Sequence, residues 1–438
     1  MALGYLDDSK LYAIASAIRA KTGDSATMSV DDMPDEIGSI SGGGGGGRDP
    51  FNDGKSHIVI SIPNDDYGDF HIHLKHSVAN SLTIDWGDGT VEHIAVGGSS
   101  YYDFYHEYAD AGSYNIAISG TSGFTTFGGA YGHTVFGTYS SSDANYRQRV
   151  LAEYVEIAGG DLIRDYAFYS CRSIRQVYFS DGVSTIGTNA FASCAGIEIA
   201  RIPNGCVVGN NAFNGCFLLG TVGTPEQITV SNGSFGSCYA LESLPAILPS
   251  ATTNLSFCQN DSSLRSAAVN ANGANITIGQ NAFNGCSSLE EVTFDAVITS
   301  IGNSAFATCA RLVEIDSIIE HCTSIGSSAF NNCASLESVT VPTGVTVIQS
   351  SAFSYCGSLR KIVVLGDVTS VGASAFANCQ KLNSITFKAA TPPTLANTNA
   401  FTSTNQCNIY VPSASVEAYK TASVWSNLAS RIKADPNE

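Results

Sequence analysis

Apolar residues recur along this chain with three different periods. Over residues 8–22, Leu11, Ile14, Ala15 and Ile18 fall at i, i+3, i+4 and i+7, which predicts a short amphipathic helix ending at Gly23. Ser29 and Asp32 then take the spacing of a variant capping box, and Met33, Ile37 and Ile40 form a second helical face. Two such small helices cannot bury both faces alone, so the pair is expected to dock or self-associate. Gly42 to Gly47 follow as a flexible linker; no Lys-Ser or Lys-Thr comes after them, so this is no phosphate loop. From 55 to about 120 the period becomes two: HIVISI, FHIHLKH, SLTIDWGDGTVEHI and YNIAIS alternate between Asn-Asp, Gly-Asp-Gly and Ala-Gly turns, predicting a small β-sandwich. Residues 123–150 show no clean period and are expected to be connecting strands or loops.

From 151 a longer period takes over. Ala-Phe-x-x-Cys or a close variant recurs at Phe168/Cys171, Phe191/Cys194, Phe213/Cys216, Phe235/Cys238, Phe283/Cys286, Phe306/Cys309, Phe330/Cys333, Phe353/Cys356 and Phe376/Cys379, with a degenerate Leu255/Cys258, mostly in steps of 22 to 24 residues. Each Cys precedes a strand-like Leu-x-x-Val-x-Phe stretch (Leu289, Val292, Phe294), and Ile-Gly-x-x-Ala-Phe (Ile301, Ala305, Phe306) then turns back. The prediction is a mainly β solenoid of about ten coils spanning on the order of 50 Å. The expected organisation is a helical segment (1–41), a Gly-rich linker (42–50), a sandwich (51–122), connecting strands or loops (123–150), the solenoid (151–406) and a C-terminal cap (407–438).

Composition agrees with turn-rich β-structure: 14% of residues are charged and 43 are Gly. Lys plus Arg number 21 against 39 Asp plus Glu, a net charge of −18 that repels nucleic acid and anionic lipid. The N-terminus lacks the basic and apolar regions of a secretory signal, and no window reaches 18 apolar residues, so synthesis in a cytoplasm without membrane insertion is expected. Ten of the 13 Cys share one repeat position, which predicts a ladder of buried thiols; Cys206, Cys322 and Cys407 lie off it.

No zinc-protease, serine-hydrolase, nucleotide or dinucleotide motif occurs, so no enzyme and no cofactor is expected. His71 and His73 share one face of a strand as a transition-metal site requires, and Asp85 and Asp88 offer carboxylates to calcium. The alternative for the aspartates is that they satisfy backbone N–H groups in the turns. The candidate binding face is the exposed side of the strand ladder: Arg175, Gln176, Tyr178, Glu198, Arg201, Glu290, Glu291, Thr293, Glu314, Glu337, Thr340, Arg360, Lys361, Asn383 and Thr386.

Three resemblances add to this reading. The repeated Ala-Phe-x-x-Cys unit resembles the BspA-type leucine-rich repeats of bacterial and protozoan surface proteins, which implies a non-enzymatic binding array, and Asn408-Ile-Tyr-Val-Pro412 with Tyr419 and Trp425 is similar to how such arrays end. Asp85-Trp-Gly-Asp-Gly-Thr90, His106-Glu-Tyr108 and Gly112-Ser-Tyr-Asn-Ile116 look like the polycystic-kidney-disease (PKD) domain, an immunoglobulin-like spacer or weak adhesion module. Residues 9–40, with Ala17-Ile-Arg-Ala-Lys-Thr-Gly23 and Met33-Pro-Asp-Glu-Ile37, resemble N-terminal segments of bacteriophage tail and receptor-binding proteins. That resemblance implies virion attachment through Leu11, Ile14, Ile18, Met33, Ile37 and Ile40, a place in the virion tail beside other tail proteins, a host-surface protein or glycan as receptor, and a homo-oligomer. The alternatives are a bacterial BspA-like adhesin and a structural virion component that binds nothing on the host.

Overall fold

The computed structural model describes residues 51–438 except 52, 64–68, 79–81, 96–100, 121–124, 129–132, 139–150, 159–160, 224–225, 250–255, 257 and 405–406. The two predicted helices with Leu11, Ile14, Ile18, Met33, Ile37 and Ile40, the glycine linker and Leu255 lie outside the described residues.

Each coil of the solenoid is a turn between two short strands, and the turn explains the repeated residues. The residue before the Ala and the residue before the Cys both take left-handed backbone, as at Asn189 (φ 54°) and Ser193 (φ 62°), or Ser328 (φ 56°) and Asn332 (φ 60°). Gly and Asn tolerate that conformation best, which accounts for their share of these two positions; Ser is as frequent there, and Tyr166, Thr308 and Tyr355 adopt the same backbone. Phe N–H groups bond to the next coil's Ala carbonyl, as from Phe168 to Ala190 and from Phe306 to Ala329, so turns stack as strands do. Neighbouring Phe rings stack face to face at 5.2–6.1 Å from Phe283 to Phe376, and at 5.0–5.6 Å from Phe168 to Phe235.

The cysteine has a specific task in the column. Its Sγ donates to the Phe carbonyl of the preceding coil at 3.0–3.3 Å, as from Cys194 to Phe168, Cys309 to Phe283 and Cys379 to Phe353. A thiol combines a small apolar volume with one weak donor, which suits a site with one buried acceptor. All 13 cysteines are buried and unbridged, and burial pushes the thiols of Cys206, Cys322 and Cys333 up to about 12. Ellman's reagent at pH 8 is therefore expected to leave the native protein's thiols unreacted for minutes and to titrate all 13 after denaturation. Fast reaction of several thiols in the native state would contradict a sealed core.

One coil departs from the predicted alignment. Asn260 (φ 68°) occupies the second left-handed position, and Cys286 Sγ donates to Cys258 O at 2.9 Å, the bond that Phe carbonyls accept elsewhere. Cys258 therefore stands in the Phe column and Asp261 in the Cys column, correcting the Leu255/Cys258 alignment; nine cysteines, not ten, occupy the ladder. The solenoid also has roughly 12 turns rather than ten. One extra turn lies at the start, where Val135 N–H bonds to Ala167 O as a Phe would, and one at the end, around Phe401 and Thr404.

The region before 151 is continuous with the array. Strands β1 (Ser56–Ile62), β2 (Asp69–His76), β3 (Leu82–Asp85), β4 (Val91–Ile94), β5 (Tyr102–Glu107), β6 (Gly112–Gly120) and β7 (Thr125–Phe127) form two facing groups. In one, β1 pairs antiparallel with Ala152–Ile157, the first strand of the first solenoid ladder, and is followed by β6, β3 and β4. In the other, β2 and β5 extend the second ladder, whose first strand is β7 itself, parallel to Leu162–Ile163. Asp161 fastens the junction: Ser56 Oγ donates to its Oδ2 at 2.6 Å and Thr125 N to its Oδ1 at 2.5 Å. Burial raises the Asp161 carboxyl against the opposing pull of these bonds. One apolar core runs unbroken from Ile58 to Ile432.

The ladders are interrupted twice. The first ladder ends at Thr221–Gly223, and Ala246–Pro249 of the second pairs through Ile247 with Val269, so the two ladders join at the irregular coil. Further on, a helical turn, Asp316–Ile319, replaces a strand, and Asp316 Oδ1 accepts Thr340 N at 2.9 Å in place of ladder pairing. A five-stranded first ladder then runs from Ser338–Val341 to Ile432–Ala434. The far end is closed by a helix, Val416–Thr421, and by Trp425–Arg431, a 3-10 helix. Tyr419 Oη donates to Ala389 O at 3.0 Å and Trp425 Nε1 to Pro393 O at 2.7 Å, covering apolar surface that the last coil would expose.

Candidate functional site

The strand register turns single side chains into columns. Outward positions stack as Ser338, Lys361, Ser384 and Asn408, and as Thr340, Val363, Thr386 and Tyr410. Earlier in the array Ser266 lies beside Glu291, and Ala268 beside Thr293. Glu198, Glu290, Glu291, Thr293, Glu314, Glu337, Arg360, Lys361 and Asn383 are exposed, while Arg175, Gln176, Arg201 and Thr340 are half-buried. Cross-coil ion pairs link Arg175 to Glu198 at 3.5 Å and Arg311 to Glu290 at 2.8 Å; at this exposure such pairs organise the face more than they stabilise it.

Two candidates are misplaced by the alternation. Tyr178 is 6% exposed and Thr386 8%, so neither presents its side chain freely. Thr386 does point outward, but Val363 and Tyr410 flank it in register and cover it. Tyr178 stands in the column of His57, Glu156 and Arg201, at the end of the face that Phe51 covers by stacking on His57 at 3.9 Å and meeting Tyr154 edge-on at 5.8 Å.

The four metal candidates are each engaged within the β1–β7 region. Asp85 Oδ1 accepts Gly87 N at 3.0 Å and Asp88 Oδ1 accepts Thr90 N at 2.8 Å, the turn role that Asp commonly plays. Asp88 Oδ2 lies 2.7 Å from His106 Nε2, whose ring stacks on the buried Trp86 at 4.9 Å. Burial alone would raise the Asp88 carboxyl, but the Thr90 N–H and the His106 ring hold it below its ordinary value. Gly87 is required here: φ is 87°, and a Cβ would meet Asn115 O at 2.6 Å. His71 faces the Tyr105 ring at 5.4 Å, and His73 Nδ1 lies 2.8 Å from Asp103 Oδ1. Among the described residues no group of three or more His, Cys, Asp or Glu is placed to hold a metal ion. No described helix is long and apolar enough to cross a membrane.

No curated protein matches the chain. Several solved structures are similar to it: a leucine rich cell surface protein from Faecalibacterium prausnitzii A2-165 (21% identity, covering 63% of this chain and 86% of that one, TM-score 0.35), a leucine-rich repeat protein from Bacteroides ovatus ATCC 8483 (20%, 65% and 94%, 0.36) and another from Eubacterium ventriosum ATCC 27560 (18%, 71% and 87%, 0.38). The sequence pattern of the BspA type leucine rich repeat region matches residues 152–262, 252–383 and 346–429. Those spans take in the stacked Phe and Cys columns and the closing helix, and they cover more than half of the chain, which therefore belongs to the BspA type leucine-rich-repeat family.

Proposed function

We propose that this protein is a surface-recognition protein whose array binds a protein or glycan on a cell surface. The observation that carries the reading is the register of the first ladder, which sets Ser338, Lys361, Ser384 and Asn408 in one straight column on a fully cored support. A support without internal freedom loses little entropy on binding, and repeated columns allow many weak contacts to add. A leucine-rich-repeat solenoid is typically a non-enzymatic binding scaffold, and a net charge of −18 disfavours nucleic acid as its partner. Of the settings open to such a protein, the family favours a BspA-like adhesin.

A second reading has its own observation. The segment from Ser9 to Ile40, followed by the glycine tether, resembles phage tail attachment segments, and a tail fibre requires one end that anchors and another that binds. In either setting the β1–β7 region serves as a PKD-like spacer; Tyr114 Oη donating to Asp110 O at 2.7 Å, four residues upstream, supports this, since immunoglobulin-like folds use a tyrosine in such a corner.

Immunogold labelling with antibody to the full chain separates the two settings. Label on the envelope of producing cells is expected for the adhesin, and label on tail tips of released particles for the tail fibre. Label confined to the cell interior of producers, with none on envelopes or particles, would overturn the proposal.

A further inference from the structure

Three consecutive turns near the irregular coil differ from the rest. In the middle one, glycines stand at positions where the turn before carries amides: Gly233 against Asn211, and Gly236 against Asn214. The missing side chains leave a groove of about 350 Å³ across the turn face. Asn211 and Asn214 lean over the glycine backbone, so closely that a Cβ at Gly233 would meet Asn211 Oδ1 and one at Gly236 would lie 2.6 Å from Asn214 Nδ2. The next turn contributes Ser256 and Gln259, and Asn210 and Asn232 complete a lining without a charged side chain. Among the described residues no hydrogen-bond partner engages the side chains of Asn211, Asn214 or Gln259.

Beside this groove lies an exposed aromatic pair. Phe217 and Tyr239, three residues beyond Asn214 and Gly236, are each 46% exposed and stack at 5.3 Å with their planes 11° apart. Phe217 Cε1 comes within 3.7 Å of the place a Cβ would take on Gly215, so the ring rests against the same turn that supplies Asn214. Large aromatic rings left in water cost hydrophobic free energy, and their stacking across two coils covers one face of each ring while leaving the edges and outer faces as one apolar ridge.

We propose that the Asn211–Gln259 groove, with the Phe217–Tyr239 stack outside its lining as a neighbouring apolar contact, is a binding site for a neutral saccharide. Amides donate and accept at once, as a ring of sugar hydroxyls demands, and an outer ring face of the stack is left for the apolar C–H side of a pyranose. A volume of about 350 Å³ suits one or two sugar rings. The uncharged lining, on a protein with a net charge of −18, selects against acidic glycans. This rests on the surface-recognition reading and names the ligand class and the place.

The test uses the full chain against a panel of neutral hexose and N-acetylhexosamine oligosaccharides, with parallel binding to intact cells. The expected result is saturable binding to at least one oligosaccharide, weakened about tenfold or more in Phe217→Ala/Tyr239→Ala and in Asn214→Asp, with the melting temperature of each variant measured in parallel to separate lost binding from lost folding, since Asn214 is half-buried. Binding to no oligosaccharide, or binding that both variants retain, overturns the site. If cells are still bound while every oligosaccharide fails, the saccharide site falls and the surface-recognition reading stands; if cells are not bound either, both fall.

Discussion

Replacing Phe330 with alanine is expected to cost about 3–5 kcal/mol, the range for removing a buried Phe side chain from a packed core. Phe330 is fully buried, and its ring stacks on Phe306 at 5.4 Å and on Phe353 at 5.7 Å, so one substitution removes two ring contacts and opens a cavity. A repeat array is held together by nearest neighbours, and each coil touches only the next. The damage should therefore stay local: urea unfolding of Phe330→Ala is expected to split, with the flanking coils opening before the end near Phe168. Phe330→Leu, which keeps most of the volume, should cost less. A loss below about 1 kcal/mol in Phe330→Ala would mean that the ring column does not carry the stability assigned to it.

The second large effect has the opposite sign at neutral pH. Asp261 is fully buried in the column that cysteines occupy elsewhere; its Oδ1 accepts Cys238 N at 2.8 Å, and among the described residues its Oδ2 has no hydrogen-bond partner. Burial raises its carboxyl well above the ordinary value, against the pull of the Cys238 N–H and of the neighbouring Cys258 thiol. The folded state thus holds a proton that the unfolded chain releases. Stability is fully present below the unfolded carboxylate range and is lost as pH rises through the raised value. Asp261→Cys restores the thiol of the other coils, with the Phe235 carbonyl as its acceptor by analogy with its neighbours. It is expected to stabilise by roughly 1–3 kcal/mol at pH 7, the cost of an unsatisfied buried polar group, and by clearly less at pH 4. An equal gain at both pH values, or a loss, would contradict the buried-acid account.

The fold was largely legible because one residue pair serves as its own ruler. Phe and Cys recur where the turn needs a large ring and a small donor, and that need repeats in nearly every coil. The pattern breaks where the same geometry is met by other residues. Cys258 stands in the Phe column and Asp261 in the Cys column, neither being the residue its column otherwise holds, and Val135 makes the Phe bond without being Phe. The junction was hidden for a different reason: β1 pairs with Ala152–Ile157, and no local pattern announces a partner so distant in sequence.

For the candidate site, alternation gave the direction of each side chain but not its cover. That difference separates Lys361, which is exposed, from Thr386, which points outward beneath Val363 and Tyr410. The signal of the groove at Gly233 and Gly236 is an absence of side chains, which a pattern of apolar positions does not register. Phe217 and Tyr239 did leave a trace, as two aromatics each directly after a ladder cysteine, a position polar or small in most other repeats.

The central claim is that the array exists to hold a recognition surface, and the most direct measurement is binding of the fluorescently labelled full chain to a panel of intact cells, read by flow cytometry with unlabelled protein as competitor. The account predicts saturable, competed binding to some cell types and not others. Weak, unsaturable signal of equal strength on every cell type would contradict it.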